Sequence, residues 1–411
     1  MTKSVATCLA CGAPITTTVV DLGLSPLANS YAKPGATAEG ERKYPLHARL
    51  CEACLLVQVD RVVPAEELFS DYAYFSSYSD SWLAHCRDYA ARMIERFHLD
   101  AASKVVEIAS NDGYQLQYFR QAGIPVLGVD PAANVAAVAK ERGVPTEVAF
   151  FGVETARRLA ARGDSADLLA AKNVLAHVPD INDFVAGLAI LMKPEGVFSV
   201  EFPHLLNMIE QVQFDTIYHE HFTYLSLLAV ERIFARFGLR IFDVEEIPTH
   251  GGSLHVMACH EAAAHVTTPN VERVRGKEIA AKLDRPEGYA GFGTRVGKVK
   301  SDLLAFLAQA KSAGKKVAAY GAAAKGNTLL NYCGVGADSI AFVADRSPAK
   351  QHKLLPGSLI EVKPPESIFE ARPDYVLILP WNIRSEIEAQ LAGIRQWGGR
   401  FVTAIPELRV N

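Results

Sequence analysis

Apolar positions along the chain follow three rhythms. Residues 1–66 carry short runs broken by many turn residues, which predicts a small module of short strands and loops. From about 71 to 98 the period becomes helical, with Trp82, Cys86, Tyr89, Met93 and Phe97 at near-helical spacing. Beyond that, compact apolar runs at 104–109, 124–130, 167–171 and 196–202 alternate with the helical stretches 132–142 and 183–192. This alternation predicts a parallel, doubly wound α/β sheet. Two strand-like runs within 241–259 predict an antiparallel pair that closes it. The segment 270–313 reads as a polar, amphipathic connector. Further runs at 316–320, 340–345, 375–379 and 401–404 predict a second, shorter α/β unit. No internal duplication and no low-complexity tract is evident.

Composition narrows the class. A length of 411 residues is too long for one ordinary core, and 49% hydrophobic with 21% charged residues is a globular mix. A formal net charge of -4 lacks the basic excess of a nucleic-acid binder. No run reaches the roughly 18 apolar residues of a membrane span, and the start lacks a secretory pattern. A cytoplasmic protein is expected, with no nucleic-acid or membrane partner, as a monomer or small homo-oligomer. Seven cysteines, an odd number, disfavour a disulfide framework.

Four of those cysteines form two Cys-x-x-Cys pairs, Cys8 with Cys11 and Cys51 with Cys54. One tight turn can present two thiolates to a zinc ion, and two such turns complete a closed tetrahedral site. A closed site has no open position, so its expected role is structural. It lends folding energy to a module too small for its own core. His47, nearby, is a weaker candidate ligand.

The segment 105–113, Val-Val-Glu-Ile-Ala-Ser-Asn-Asp-Gly, occupies the first strand-to-helix turn of the middle unit. Open α/β sheets bind ligands beyond the carboxyl ends of their strands. Glu107 suits an amino group, and the backbone from Ala109 through Asn111 to Gly113 permits close approach. Asp130, about 20 residues on, suits ribose hydroxyls. A Gly-x-Gly-x-x-Gly loop is missing, which favours S-adenosylmethionine over a dinucleotide. Pro131 and Asn173 are further candidate contacts. Phe151, in the stretch 150–152, either walls the adenine or packs in the core.

Two segments concentrate polar chemistry: 172–180, with His177 just past a strand end, and 214–226, with Tyr218, His219, Glu220 and His221 in a row. Tyr218 and His221 lie three apart and would share a helical face; an exposed polar helix is the alternative. Carbon methylation requires a carbanion equivalent, which a base generates beside a ketone. Histidine suits that base, and a carboxylate, tyrosine or second histidine can support it. The stretch 71–80, with Tyr72, Tyr74 and Tyr78, offers hydroxyl-bearing rings for a sugar or base, or else packs at a helix entry. Residues 321–326 follow a strand, and Gly321 with Lys325 can cradle a diphosphate or simply pack tightly. Asp345 and Arg346 end the next strand, where a nucleoside could be read.

These motifs together resemble the three-domain, zinc-bearing nucleotide-sugar C-methyltransferases of deoxysugar biosynthesis, the dTDP-4-keto-deoxysugar 3-C-methyltransferases. The resemblance spans the chain through both cysteine pairs and 74–79 (Tyr-Phe-Ser-Ser-Tyr-Ser). It continues through 106–113, 173–178 (Asn-Val-Leu-Ala-His-Val), 218–222 (Tyr-His-Glu-His-Phe), 250–253 (His-Gly-Gly-Ser) and 320–326. It implies a zinc module at 1–66, a class I S-adenosylmethionine-dependent methyltransferase domain at 67–270, and a Rossmann-like C-terminal domain at 271–411. The nucleotide-sugar, with His250 among its contacts, is implied between the last two. Catalysis is implied for Tyr218, Glu220 and His221, with His177 and Tyr72 close by. His221 is the expected base, with Glu220 as its partner or its competitor. His255 stands where the family pattern has arginine, which bears on which sugar is bound. O- or N-methylation of a small molecule is the rival reaction.

Overall fold

The computed structural model describes residues 7–37, 39–60, 63, 64, 77 and 80–411. Tyr72, Tyr74 and Tyr78 lie outside the described residues. The chain opens with an antiparallel ladder of β1 (Thr17–Ser25), β2 (Tyr44–Leu50) and β3 (Val57–Val59). The expected helix follows as Asp80–Phe97, burying Cys86, Tyr89 and Met93.

The middle of the chain lays down β4 (Val105–Ile108), β5 (Val126–Asp130), β6 (Thr146–Val148), β7 (Ala166–Lys172) and β8 (Met192–Pro203), all parallel. The next strand, β9 (Thr223–Tyr224), leaves this sheet and pairs with β3 of the first. The hairpin β10 (Leu239–Ile247) and β11 (Ser253–His260) then returns, with β11 antiparallel to β8. The resulting order is β10-β11-β8-β7-β4-β5-β6, so strand order reverses between β4 and β7. Every residue of β4 and β5 is buried, the mark of a sheet covered on both faces. Gly128 in β5 permits one close approach: a Cβ there would lie 2.3 Å from Ser110 Oγ.

A second parallel sheet follows: β12 (Val317–Tyr320), β13 (Val343–Ala344), β14 (Val362–Lys363), β15 (Tyr375–Ile378) and β16 (Arg400–Thr403), with β17 (Arg409–Val410) antiparallel at its edge. Its order is β14-β13-β12-β15-β16-β17, so the reversal falls between β12 and β15.

The segment 270–313 is more than a connector. Helix Pro269–Ala280 packs Val271 and Val274 into the seven-stranded core, and the division expected at 270 falls in its first turn. Helix Phe292–Ser312 buries Phe292, Val296, Val299, Leu303 and Leu307 between the first and third sheets. No helix among the described residues is long and apolar enough to cross a membrane.

Side-chain caps fix two of the helices. Asp180 accepts hydrogen bonds from the Asn182 and Asp183 amides at the start of Ile181–Leu191. Helix Leu227–Ala235 has Ser226 as its cap. Its exposed amides also meet Glu278, which accepts from Leu227 N (2.6 Å), Leu228 N (2.9 Å) and His204 Nε2 (2.7 Å). A carboxylate at a helix N-terminus satisfies orphan donors and the dipole together. Glu278→Ala strands all three donors in the core. It is expected to destabilise by about 3 kcal/mol or more, read as a lowered urea midpoint, with Glu278→Gln intermediate. An unchanged midpoint for the alanine variant would contradict this account.

Candidate functional site

The two cysteine pairs sit on matching turns. Gly12 N donates to Cys8 O and Leu55 N donates to Cys51 O, at 3.0 and 2.7 Å. Both closing residues are left-handed, Gly12 at φ 75° and Leu55 at φ 67°. The four Sγ atoms lie within 4.8 Å of one another, with Cys8–Cys54 at 3.4 Å and Cys11–Cys51 at 3.5 Å. Tetrahedral zinc with four thiolates needs sulfurs about 3.8 Å apart, so this set fits. His47 does not join it: its Nε2 meets Thr18 Oγ1 at 2.9 Å. Arg232 and Arg236 donate to Ala53 O and Ala10 O, docking both turns on the seven-stranded unit.

The second site lies past the carboxyl ends of β4, β5 and β7. The loop after β4 is left-handed at Ala109 (φ 57°), Asn111 (φ 50°) and Gly113 (φ 76°). Asp130 latches it, accepting from Asn111 N at 2.8 Å and Ala132 N at 2.9 Å. Glu107 is fully buried, and neither carboxylate oxygen has a hydrogen-bond partner among the described residues. Burial pushes its carboxyl well up, opposed by the Lys172 ammonium. An orphaned buried carboxylate beside a backbone cradle fits a ligand carrying an ammonium group. Lys172 also donates to Glu201, whose two oxygens lie 3.1 Å from His85 Nε2. Trp82 stacks on His85 and tilts against Tyr114 and His250. Asn173, left-handed at φ 54°, lies 3.1 Å from His250 Nε2 through its Nδ2. Pro131 is half-buried beside Asp130. Phe151 is half-buried too, edge-on to Phe184 at 5.4 Å.

The third cluster is the segment before β9. Tyr218 OH and His221 Nε2 are 2.8 Å apart, and His221 Nδ1 donates to Thr216 O at 2.8 Å. The carbonyl fixes the tautomer, so Nε2 accepts the phenol proton. His177 is fixed the same way, Nδ1 donating to Glu220 O at 2.8 Å, with its ring edge-on to His221 at 4.6 Å. Desolvation pulls His221 well below the ordinary imidazole range and brings His177 down to about 4. Glu220 is not the partner of His221. The turn that joins Tyr218 to His221 sends its carboxylate elsewhere, to accept from Asn29 Nδ2 at 3.1 Å. His219 faces away, toward Pro45 O.

The second parallel sheet supplies the facing wall. Lys325, in the first turn of helix Ala324–Cys333, donates to Asn382 Oδ1 at 2.8 Å and lies over the Trp381 ring. Trp381 Nε1 donates to Asp215 Oδ2 at 2.8 Å. Burial raises Asp215 to about 6 against the Lys325 charge. Gly321, at φ 92°, has Pro380 where a Cβ would sit. Asp345 spends its oxygens on Ala322 N (2.7 Å) and Ser347 N (2.8 Å), holding its own loop as Asp130 does. Arg346 is exposed.

His255 belongs to the core. It is 1% exposed on β11 and 2.7 Å from Ser199 Oγ, with Tyr89 edge-on. Sequence reasoning missed Trp82, His85, Glu201, Trp381 and Asn29. Glu201 had a signal: a charged residue ending an apolar strand, in register with Lys172.

The protein is expected to carry one zinc ion per chain, and Cys51→Ser is expected to lose it, by metal analysis after gel filtration. Full zinc retention in that variant would contradict the four-thiolate site.

Three family models match consecutive stretches: a zinc binding domain over residues 8–69, a methyltransferase domain over 82–244, and a C-methyltransferase C-terminal domain over 248–406. The chain is 38% identical over 403 residues to C-methyltransferase NovU of Streptomyces niveus, covering 98% of this chain and 96% of NovU. It is 32% identical over 124 residues to the ubiquinone biosynthesis O-methyltransferase of Methylobacterium sp. (strain 4-46), 28% of this chain and 49% of that one. Magnesium protoporphyrin IX methyltransferase (ChlM) from Synechocystis PCC 6803, solved with bound SAM, aligns over 43% of this chain and 79% of its own at 16% identity, with a TM-score of 0.34. With a relative alike over nearly its whole length and family models for each part, the chain belongs to the zinc-bearing, S-adenosylmethionine-dependent C-methyltransferases.

Proposed function

We propose that the enzyme methylates the carbon beside the ketone, C3, of a nucleotide-linked 4-keto-6-deoxysugar by way of an enolate. The observation that carries this reading is the Tyr218–His221 hydrogen bond, set in a cleft that the second parallel sheet closes with a half-buried lysine. Bound S-adenosylmethionine supplies an electrophilic methyl group, with Glu107 facing its ammonium and the Asp130-latched loop its ribose. The sugar carbon must therefore become the nucleophile.

Tyr218 takes the proton from that carbon as its own phenol proton passes to His221 Nε2. The charge then rests on the imidazole, and the Tyr218 hydroxyl remains as a donor to the enolate oxygen. His177, fixed by the Glu220 carbonyl, packs edge-on against His221 and keeps it in place. By resemblance, Tyr72 is assigned to catalysis and Tyr74 and Tyr78 to substrate binding; all three lie outside the described residues. His250 borders both ligands beside Asn173. Lys325, at a helix N-terminus with Gly321 before it, suits the diphosphate of a dTDP-linked sugar. Asp345 and Arg346 flank that loop on the nucleoside side, Asp345 by shaping it. We assign the three units to 1–66, 67–270 and 271–411, with the helix Pro269–Ala280 spanning the second division while packing on the seven-stranded core, and the last unit contributing the nucleotide pocket. Seven thiols with no disulfide accord with a cytoplasmic setting.

The direct test uses donor carrying a 13C methyl group and a panel of dTDP-4-keto-6-deoxysugars, with the product read by NMR. The expected product carries the label on C3. A methyl on oxygen or nitrogen would overturn carbon chemistry, and one on C5, the other carbon beside the ketone, would overturn the position alone. On an accepted substrate, Tyr218→Phe is expected to lower kcat by about 100-fold or more, with KM little changed. Because desolvation holds the histidines neutral, any acidic limb due to them lies below pH 6.5, toward about 4 for His177. A limb at 6.5 that disappears in His221→Ala would contradict that assignment.

A further inference from the structure

One side chain from a loop of the zinc-bearing sheet reaches the carboxylate of Glu220. Asn29 lies on the loop between β1 and β2, and its Nδ2 donates to Glu220 Oε1 across 191 positions of sequence. Glu220 is 5% exposed, and its other oxygen has no partner among the described residues. The groups that face it are hydroxyls and a ring: Tyr31 and Tyr224, whose phenols are pushed up chiefly by burial and in smaller part by its charge, and His177, which donates to its backbone carbonyl.

The loop that carries Asn29 is fastened on both sides. Asn327 Nδ2 donates to Ala28 O at 2.6 Å. Tyr31 OH and Lys350 Nζ both donate to Ala322 O, at 2.6 and 2.8 Å. Ala32 and Leu354 exchange backbone hydrogen bonds at 2.9 and 2.8 Å. Asn29 itself is exposed. Its neighbours hold the loop, so its carboxamide contributes little to packing and is committed to the buried carboxyl of Glu220, in the turn that joins Tyr218 to His221.

We propose that Asn29 is a positioning residue, delivered by the zinc-bearing unit, that holds the side chain of Glu220, a member of the same turn as Tyr218 and His221, as a carboxylate. The proposal rests on the reading of 218–221 as the reacting segment. A buried carboxyl favours its protonated form, and a hydrogen bond to the charged form opposes that. Burial does push Glu220 up, countered first by its own backbone amide and then by the Asn29 carboxamide and backbone amide. Without that donor the carboxyl holds its proton to higher pH, and the ionised form is lost first on the acid side.

The test titrates Glu220 directly in the full-length, zinc-loaded protein. Glutamate side chains are labelled with 13C at the carboxyl, and Glu220→Gln identifies the signal. Asn29→Ala is expected to raise the Glu220 midpoint by about one pH unit, the size of one lost hydrogen bond to a buried carboxylate. Asn29→Asp, which adds a like charge, is expected to raise it further. Zinc content and melting temperature should match the parent. An unmoved midpoint in both variants overturns the proposal. This titration needs no substrate, so failure of every sugar in the panel would remove the sugar reading and leave Asn29 standing. With a sugar that is turned over, the acidic limb of kcat should move to higher pH in Asn29→Ala while KM stays within about two-fold. A rise in KM with an unmoved limb would make Asn29 a substrate contact instead, against the proposal.

Discussion

Two residues, Thr223 and Tyr224, hold the reacting segment in a fixed place. As β9 they pair with Gln58 and Val57, the outer strand of the zinc-bearing sheet. A two-residue strand has almost no stability of its own. It persists because its approach is pinned: Phe222 N donates to Ala176 O, Val59 N donates to Phe222 O, and Thr328 Oγ1 donates to Ile217 O. Those three bonds come from the seven-stranded unit, the zinc-bearing sheet and the second parallel sheet respectively. The turn carrying Tyr218 and His221 is therefore built at the meeting of all three sheets. Its geometry depends on a small sheet that packs into the core shared with helix Phe292–Ser312, with the four thiolates on its flanking turns.

The cofactor side of the cleft carries an unusual load of buried charge. Lys172 and Glu201 are both nearly inaccessible and lie directly opposite one another on β7 and β8. Removing such groups from water is costly, and their attraction offsets the cost only with good geometry. Here the pair is flanked by His85 and by the Tyr89 ring, over which the Lys172 ammonium sits at 3.7 Å. Burial alone would raise Glu201, but Lys172, the His85 hydrogen bond and the nearby His255 together hold it ionised far below the usual carboxylate range. Glu107, on the neighbouring strand β4, makes no salt bridge, and burial pushes it the other way against the Lys172 charge and the Tyr114 phenol. The same sheet edge thus holds one satisfied and one unsatisfied carboxylate, and the unsatisfied one faces the ligand cradle.

Much of this was legible in the order of residues, for physical reasons that also mark where reading fails. The strands β4, β5 and β7 stand out because both faces are buried and few polar residues interrupt them. The paired cysteines stand out because thiolate spacing has few other uses in a reduced protein. Helix Phe292–Ser312 reads as a connector because lysines and glycines dilute its apolar stripe; burial of that stripe shows only in three dimensions. β9 is invisible, being two residues with polar atoms. Glu220 next to His221 in sequence suggested a pair, yet a turn sends adjacent side chains to different neighbours. Asp345 looked like a nucleoside reader and holds its own loop. His255 looked like a site residue and is core. Trp381 and Asn29 carry no local signal, since each reaches the cleft from a loop fixed by distant contacts.

The account's central claim is that Tyr218 and His221 remove a proton from carbon before any methyl moves. Its most direct measurement is mass spectrometry of a dTDP-4-keto-6-deoxysugar incubated with the enzyme in heavy water, with the demethylated cofactor product in place of the donor. The account predicts enzyme-dependent deuterium uptake at C3, lost in Tyr218→Phe and in His221→Ala. Uptake that persists undiminished in both variants would place the base elsewhere. Methylation of that carbon with no exchange under any condition would contradict a separately formed enolate.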